Sequence, residues 1–363
     1  MYRNDQRIVL TLDAGGTNFV FSALQGNREI TQPFSLPAEP NDIKPCLETI
    51  ENGFCRLQNE VDGEISAISF AFPGPADYKN GVIGDLPNFP AFRGGVALGA
   101  FLEDKFNLPV FINNDGNLFA FGEALAGALP MLNDELAKNG NSKRYHNLTA
   151  LTFGTGFGAG VVINNHLLTG DNGCGGDIWV LRNKIYPDKI VEESVSIRAI
   201  TRVYNELAKE KNTFLTPKEI FDIAEGNKVG DREAALRSFA QFGEAAGDAI
   251  ACLQTFTDGI IVLGGGIVGA IKYILPSLKN ELNVQLGAFS GQKFDRLQMK
   301  ALDLSDENDR VEFFKEKATT INVPFSNRKV HYNSVKQTAI VLSSLGTSRA
   351  IALGAYSFAL SNL

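Results

Sequence analysis

The segment Asn113-Asn114-Asp115-Gly116-Asn117 sets one carboxylate among three carboxamides, directly after the strand-like run LPVFI. A carboxylate fixed by neighbouring amides can accept the proton of a substrate hydroxyl, while asparagine side chains hydrogen-bond the adjacent hydroxyls of a polyol. The same residue types also build an ordinary Asx-rich turn. Asn88 in LPNFPAF, Asp177 and Glu192 are the polar loop residues available to complete a sugar site. Support comes from glycine, 36 of 363 residues, much of it bunched at the ends of strand-like runs. Asp13-Ala14-Gly15-Gly16-Thr17-Asn18 joins two β-rich stretches, and Gly154-Thr155-Gly156 with Gly158 joins two more about 140 residues later. Glycine lets backbone approach a ligand, and successive exposed N–H groups form an anion cradle. One such turn is an ordinary hairpin bend. Two of them, with Asp13 and Thr17 adding a carboxylate and a hydroxyl suited to magnesium, point to nucleotide binding and to an internal duplication.

A third cluster, Gly264-Gly265-Gly266 within GIIVLGGGIVGAIKYIL, runs instead from a buried-type strand into a helix. It fits the G-x-G-x-x-G dinucleotide pattern through Gly264, Gly266 and Gly269. The region NELNVQLGAF, about 20 residues on, lacks an acid at the end of the next strand to hold a ribose, and Gly154-x-Gly156 leads into a strand where a dinucleotide site requires a helix. No G-x-x-x-x-G-K-[ST] loop occurs. His146, His166 and His331 have no neighbours suited to catalysis. Cys46, Cys55, Cys174 and Cys252 form no C-x-x-C pair and read as reduced thiols.

The elements that must position these residues are of α/β order. Thr216-Pro217-Lys218-Glu219 predicts a capped helix ending near Gly226. From Asp231 onward, apolar residues at helical spacing predict a long core helix feeding the Gly264 strand. Ala339–Ser343 reads as a strand and Arg349–Leu360 as an apolar helix packing back on a lobe. Residues 286–335 are poorer in pattern, and the charged block Asp303–Lys317 reads as a solvated insertion. The length suits two lobes, 1–125 with the helix at about 345–363, and 126–344. With 34 basic against 41 acidic residues the net charge is −7, which disfavours nucleic acid and anionic membrane as partners. The longest apolar run, Ile260–Ile271, is too short to span a bilayer, and the opening residues show no signal-peptide core. The expectation is a cytoplasmic protein.

DAGGTN, FPGPAD, LPNFPAFRG, INNDGN, TFGTGFGAGVV, TGDNGCGGD and VLGGGIVGA, in that order along nearly the whole chain, resemble the sugar kinases of the ROK family (repressor, open reading frame, kinase). The resemblance implies the actin-like, ribonuclease-H-like ATPase fold: two α/β lobes with a cleft between them. It implies a first phosphate loop at Asp13, Gly15, Gly16, Thr17 and Asn18, a second at Gly154, Thr155 and Gly156, and an adenosine-side motif at Gly264, Gly265 and Gly266. It also implies Asp115 as catalytic base, Asn114 and Asn88 as sugar contacts, and Mg²⁺ near Asp13. The reaction implied is transfer of the γ-phosphoryl of ATP to a hexose hydroxyl, the 6-hydroxyl of glucose foremost, with fructose, mannose or an N-acetylhexosamine open. A homodimer is a family-level expectation.

Two departures stand out. Where the family has Glu-x-Gly-His followed by a cysteine-rich zinc loop, this chain reads Asp177-Ile178-Trp179-Val180, so the acid is shortened, the histidine is absent, and no structural zinc is expected. Glu192 falls where the last glutamate of that pattern stands. Trp179, the only tryptophan, reads as a packing residue or as a surface for a sugar face. A sugar-sensing regulator of the same family is the alternative, disfavoured because only a dozen or so residues precede Asp13 and regulators carry an N-terminal DNA-binding segment.

Overall fold

The computed structural model describes every residue except 16, 75, 85–88 and 211–213. The chain divides into two compact units, one of Met1–Gly127, Gly160–Gly176 and Ser344–Leu363, the other of Ala128–Ala159 and Asp177–Ser343. The first unit takes in Gly160–Gly176, a stretch that the sequence reading places in the second lobe.

In the first unit, strand β1 (Ile8–Ala14) turns back at Gly15 into an antiparallel β2 (Asn18–Gln25). After helix α1 (Ile43–Glu60), β3 (Ile65–Ala71) pairs parallel with β1, and β4 (Val110–Asn113) pairs parallel with β3. β1 is buried along nearly its whole length, which fits its continuous apolar run at the centre of a covered sheet. One face carries a phenylalanine-rich core: Phe19, Phe21, Phe54, Phe70, Phe72, Phe89 and Phe92 are fully buried. Phe21 and Phe54 meet edge to face at 5.4 Å, and each such burial stabilises by roughly 1.5–3 kcal/mol. The other face packs on the C-terminal helix Thr347–Asn362, where Leu353, Tyr356, Ala359 and Leu360 cluster with Val9, Leu24 and Ala67.

The second unit repeats the plan. β5 (Leu148–Phe153) has β6 (Phe157–Ile163) on one side; on the other, β7 (Ile260–Gly264) and then β8 (Gln337–Leu342) follow in parallel. Both sheets thus begin with a strand, a small-residue turn and a second strand, and continue with parallel strands, as the paired motifs predict. The capping box at Thr216 forms, and Gly226 closes that helix at φ 81°. Helix α3 (Arg232–Thr257) starts at Asp231, whose carboxylate accepts from the Ala234 N–H at 3.1 Å.

The stretch 286–335 is less of an insertion than its charges suggest. Two of its parts are exposed hairpins, one pairing Gln285–Gly287 with Lys293–Asp295 and one pairing Thr319–Asn322 with Lys329–Tyr332. Between them, Lys300–Asp303 extends the central sheet beside β8, burying Ala301 and Leu302. Helix Glu307–Phe314 seats Phe313 against Tyr145, rings 5.6 Å apart. Among the described residues, no helix is long and apolar enough to cross a membrane.

Candidate active site

β4 ends at Asn113, and helix α2 (Asp115–Leu125) begins two residues later. Asn114 is the N-cap, its Oδ1 accepting from the Asn117 N–H at 2.6 Å. Asn113, buried in the sheet, accepts from the Asn114 N–H and from Asn117 Nδ2, both at 2.9 Å. This clamp puts Asp115 at the first helical position, where free N–H groups and the helix dipole favour a carboxylate. The Gly116 N–H donates to Asp115 Oδ1 at 2.9 Å. Asp115 keeps contact with solvent, yet protein crowds its carboxyl, and this burial raises its pKa against the opposing pull of backbone N–H donors. A reachable carboxylate with elevated basicity is what proton abstraction from a hydroxyl needs.

Helix α2 is in turn fixed by the C-terminal helix. A Cβ on Gly122 would strike the carbonyl of Ala350, and one on Gly354 the carbonyl of Leu118, so the two helices meet backbone to backbone.

Asp13, Ala71 and Asn113 occupy one row across β1, β3 and β4. Asp13 therefore lies at the same carboxyl-end edge as the Asp115 turn, the edge at which ligands bind in parallel sheets. Burial raises the Asp13 pKa, a hydrogen bond from the Ser348 side chain lowers it, and the charge of Asp115 raises it again. Two carboxylates that sense one another, with no lysine or arginine among the influences on Asp13 from the described residues, suit a divalent cation; Asp13 would hold it. In the turn beyond, the Gly15 N–H donates to the Asn18 carbonyl at 3.1 Å, and Gly15, Thr17 and Asn18 are exposed. Gly16 and Asn88 lie outside the described residues.

In the second unit, the Gly154 N–H donates to the Gly156 carbonyl at 3.1 Å, closing a tight turn that leaves Thr155 exposed. Glu192 braces this turn: its Oε2 accepts from the Phe157 N–H at 3.0 Å, and its Oε1 accepts from Arg198 at 3.2 Å. Arg198 also reaches the Thr155 carbonyl at 3.4 Å. The three glycines of the adenosine-side motif divide by cause. Gly265, at φ 93°, lies where a Cβ would strike the Phe153 backbone, so its glycine is required by packing. Gly264 ends β7, buried. Cβ atoms on Gly154 and Gly266 would meet nothing, and neither residue has positive φ. The protein itself does not require glycine at those two positions, and the open space is of the kind a phosphate or a ribose occupies.

Asp177 precedes the short turn Ile178–Val180; burial raises its pKa, and the neighbouring Trp179 side chain pulls it back down. Trp179 is 37% exposed. Sequence reasoning missed two residues around the candidate site: Asn113 as the clamp, whose role is visible only through its hydrogen bonds, and Ser348, more than three hundred residues from Asp13. Among the described residues, no group of three or more His, Cys, Asp or Glu is arranged to hold a metal alone, so a cation at Asp13 would take most of its ligands from substrate phosphates and water.

A fold with glycine-rich turns at matching strand ends of two similar sheets, and a carboxylate at the mouth of one of them, is that of the actin-like, ribonuclease-H-like ATPases. The ROK family model matches residues 9–307, and the chain belongs to the ROK family. A glucokinase from Parabacteroides distasonis, known from a crystal structure, is 55% identical, with a TM-score of 0.90 and all of both chains covered. A glucokinase from Thermotoga maritima is 26% identical over 76% of this chain and 86% of its own. A xylose repressor from Bacillus spizizenii is 27% identical over 77% of this chain and 68% of its own.

Proposed function

We propose that this chain is an ATP-dependent hexose kinase that transfers the γ-phosphoryl of ATP to the 6-hydroxyl of glucose. The observation that carries the reading is the placement of Asp115: first residue of a capped helix, exposed to an incoming hydroxyl and with raised pKa. In this reading Asp115 orients the hydroxyl and takes its proton as the oxygen attacks phosphorus. Asn114 spends Oδ1 on its cap, which leaves Nδ2 to donate to a sugar hydroxyl. Asn88, Asp177 and Glu192 supply further hydroxyl contacts. The turn Asp13–Asn18 and the turn Gly154–Gly156 hold phosphates through backbone N–H groups, and Gly264–Gly266 lies against the adenosine. Mg²⁺, when bound with the nucleotide, would offset phosphate charge, and Asp13 would be the side chain that receives it. The 55% identity to a glucokinase over the whole chain supports the kinase reading and the choice of glucose over fructose, mannose or an N-acetylhexosamine.

A second reading, a sugar-binding regulator that does not phosphorylate, is favoured by the likeness to a xylose repressor. Incubation with ATP, Mg²⁺ and each hexose, followed by mass analysis of the products, separates the two. The kinase reading expects a hexose 6-phosphate from glucose, and sugar binding with no phosphorylated product from any hexose would replace it with the regulator.

A further inference from the structure

We propose that the groove running beside β4 in the first unit is a second carbohydrate site, separate from the Asp115 turn, and that a neutral sugar of two pyranose rings seated there braces the carboxamide clamp that holds Asp115. The proposal goes beyond the hexose-kinase reading, and its binding half stands without it.

β4 is the last strand of its sheet. The groove beside it has a volume of about 820 Å³, in the upper part of the roughly 300–1,000 Å³ that small-molecule sites occupy. Four separated parts of the chain wall it, all within the first unit: the hairpin that starts at Ala76–Asp77, β4 with the first turns of α2, residues between Asn165 and Gly173, and the end of the C-terminal helix. The third of these belongs to Gly160–Gly176, the stretch by which the chain leaves the second unit and rejoins the first. The groove extends to Val110, the first residue of β4, roughly 10 Å along the strand from Asn113. Asp13 and the Asp115 turn stand at the Asn113 end, so the groove leads away from them. Its described wall includes the buried Asn113 and Asn117 but neither Asn114 nor the exposed Asp115.

The lining fits both parts of a sugar, the apolar ring face and the hydroxyl rim. Phe121 is buried, Phe111 and Phe358 are half-buried, and Phe358 meets each of the other two edge to face with centroids 6.4 Å apart. Asn80, Asn165, Asn172 and Asn362 add carboxamides. A carboxamide both donates and accepts, as a hydroxyl does, and aromatic rings with polar groups beside them make a carbohydrate contact. Phosphate is disfavoured, because Lys79 is the one lysine or arginine among the described wall residues and stands against Asp77 and Asp171. The hairpin wall is held in place by Asn80, whose N–H and Nδ2 donate to the Asp77 carboxylate at 3.2 and 2.7 Å.

The groove also reaches the residues that position Asp115. Asn113 Oδ1 accepts from the Asn114 N–H and from Asn117 Nδ2, and the Asn117 N–H donates to the Asn114 cap. Asn117 is 1% exposed, and its Oδ1 has no hydrogen-bond partner among the described residues. A buried acceptor left unpaired is costly, and a sugar hydroxyl donated from the groove is the partner the clamp lacks. Completing the clamp holds the start of α2, and with it Asp115, in one position.

The probe is maltose, a neutral disaccharide of two pyranose rings, titrated calorimetrically into the full chain without nucleotide. Two variants fill the groove from different walls: Ser361→Trp, at the exposed end of the C-terminal helix, and Asn172→Trp, in an exposed loop. The expected result is saturable binding to the parent that weakens about tenfold or more in both variants. With ATP, Mg²⁺ and glucose, saturating maltose should raise the kcat of the parent about twofold or more and leave that of either variant unchanged. No saturable maltose binding, or binding that both variants keep, would overturn the groove as a site and leave the kinase reading intact. Binding lost in the variants but without effect on the parent's kcat would overturn the link to Asp115. Binding lost in the variants, with a parent chain that phosphorylates no hexose, would support the groove and overturn the kinase reading instead. Should one variant lose its melting transition, the other carries the test.

Discussion

Asp115 is the proposed base, and its environment makes a pH prediction with a definite sign. Burial raises its pKa above the ordinary 3.8, so as pH falls through that raised value the carboxylate gains a proton and can no longer accept one. The acid limb of kcat should therefore have its midpoint above the ordinary carboxylate value and should be measured at saturating sugar and nucleotide. The same shift bears on stability. The folded chain holds this proton more tightly than the unfolded chain, so the stabilising effect is full below the unfolded pKa and is lost as pH rises through the folded one. Asp115→Asn, which is neutral throughout, should raise the melting temperature at pH 7 while lowering kcat, a trade expected of functional residues. A melting temperature clearly below that of the parent would contradict the assigned environment.

At the scale of elements, the distinction between glycines required by packing and glycines facing open space makes opposed predictions. Gly154→Ala meets no protein atom, so its melting temperature should match the parent while the ATP KM rises about tenfold or more. Gly265→Ala meets the Phe153 backbone at positive φ and should cost on the order of 2–4 kcal/mol, visible as a lowered denaturation midpoint. Equal effects of the two on stability would show that the open space at Gly154 has another cause. Asn114→Ala removes the cap of α2 and should cost about 1 kcal/mol, together with a loss of kcat larger than that stability change alone would produce.

For the whole molecule, much was legible because period and turn chemistry agreed. The β1–β2 hairpin, the capped helix after Thr216, the long helix from Asp231 and the strand-to-helix passage at Gly264 all follow local rules that tertiary packing had no reason to override. The Asn113–Asn117 turn was legible as a candidate site from its residue types, but which carboxamide caps and which stays free depends on hydrogen-bond direction. The strand Lys300–Asp303 was hidden because its two buried residues, Ala301 and Leu302, stand just ahead of the charged block Asp303–Lys317 in a stretch too short to show a period. Ser348 on Asp13 is a long-range contact that no local pattern records. The membership of Gly160–Gly176 in the first unit is of the same kind, because the chain passes between units in the middle of β6 with no change of composition. Ligand binding should register globally: a nucleotide held at about a hundred times its Kd stabilises the folded chain by about 2.7 kcal/mol, so ATP with Mg²⁺ should raise the melting temperature of the parent and less so that of Gly154→Ala.

The most direct test of the central claim compares glucose-dependent ADP release by the parent chain and by Asp115→Ala, each with its ATP affinity measured separately. The account predicts sustained turnover by the parent and a loss of about 10²–10⁴ in kcat for the variant, with ATP affinity nearly unchanged. Near-parental kcat in Asp115→Ala, or no turnover by a parent chain that binds ATP, would contradict it.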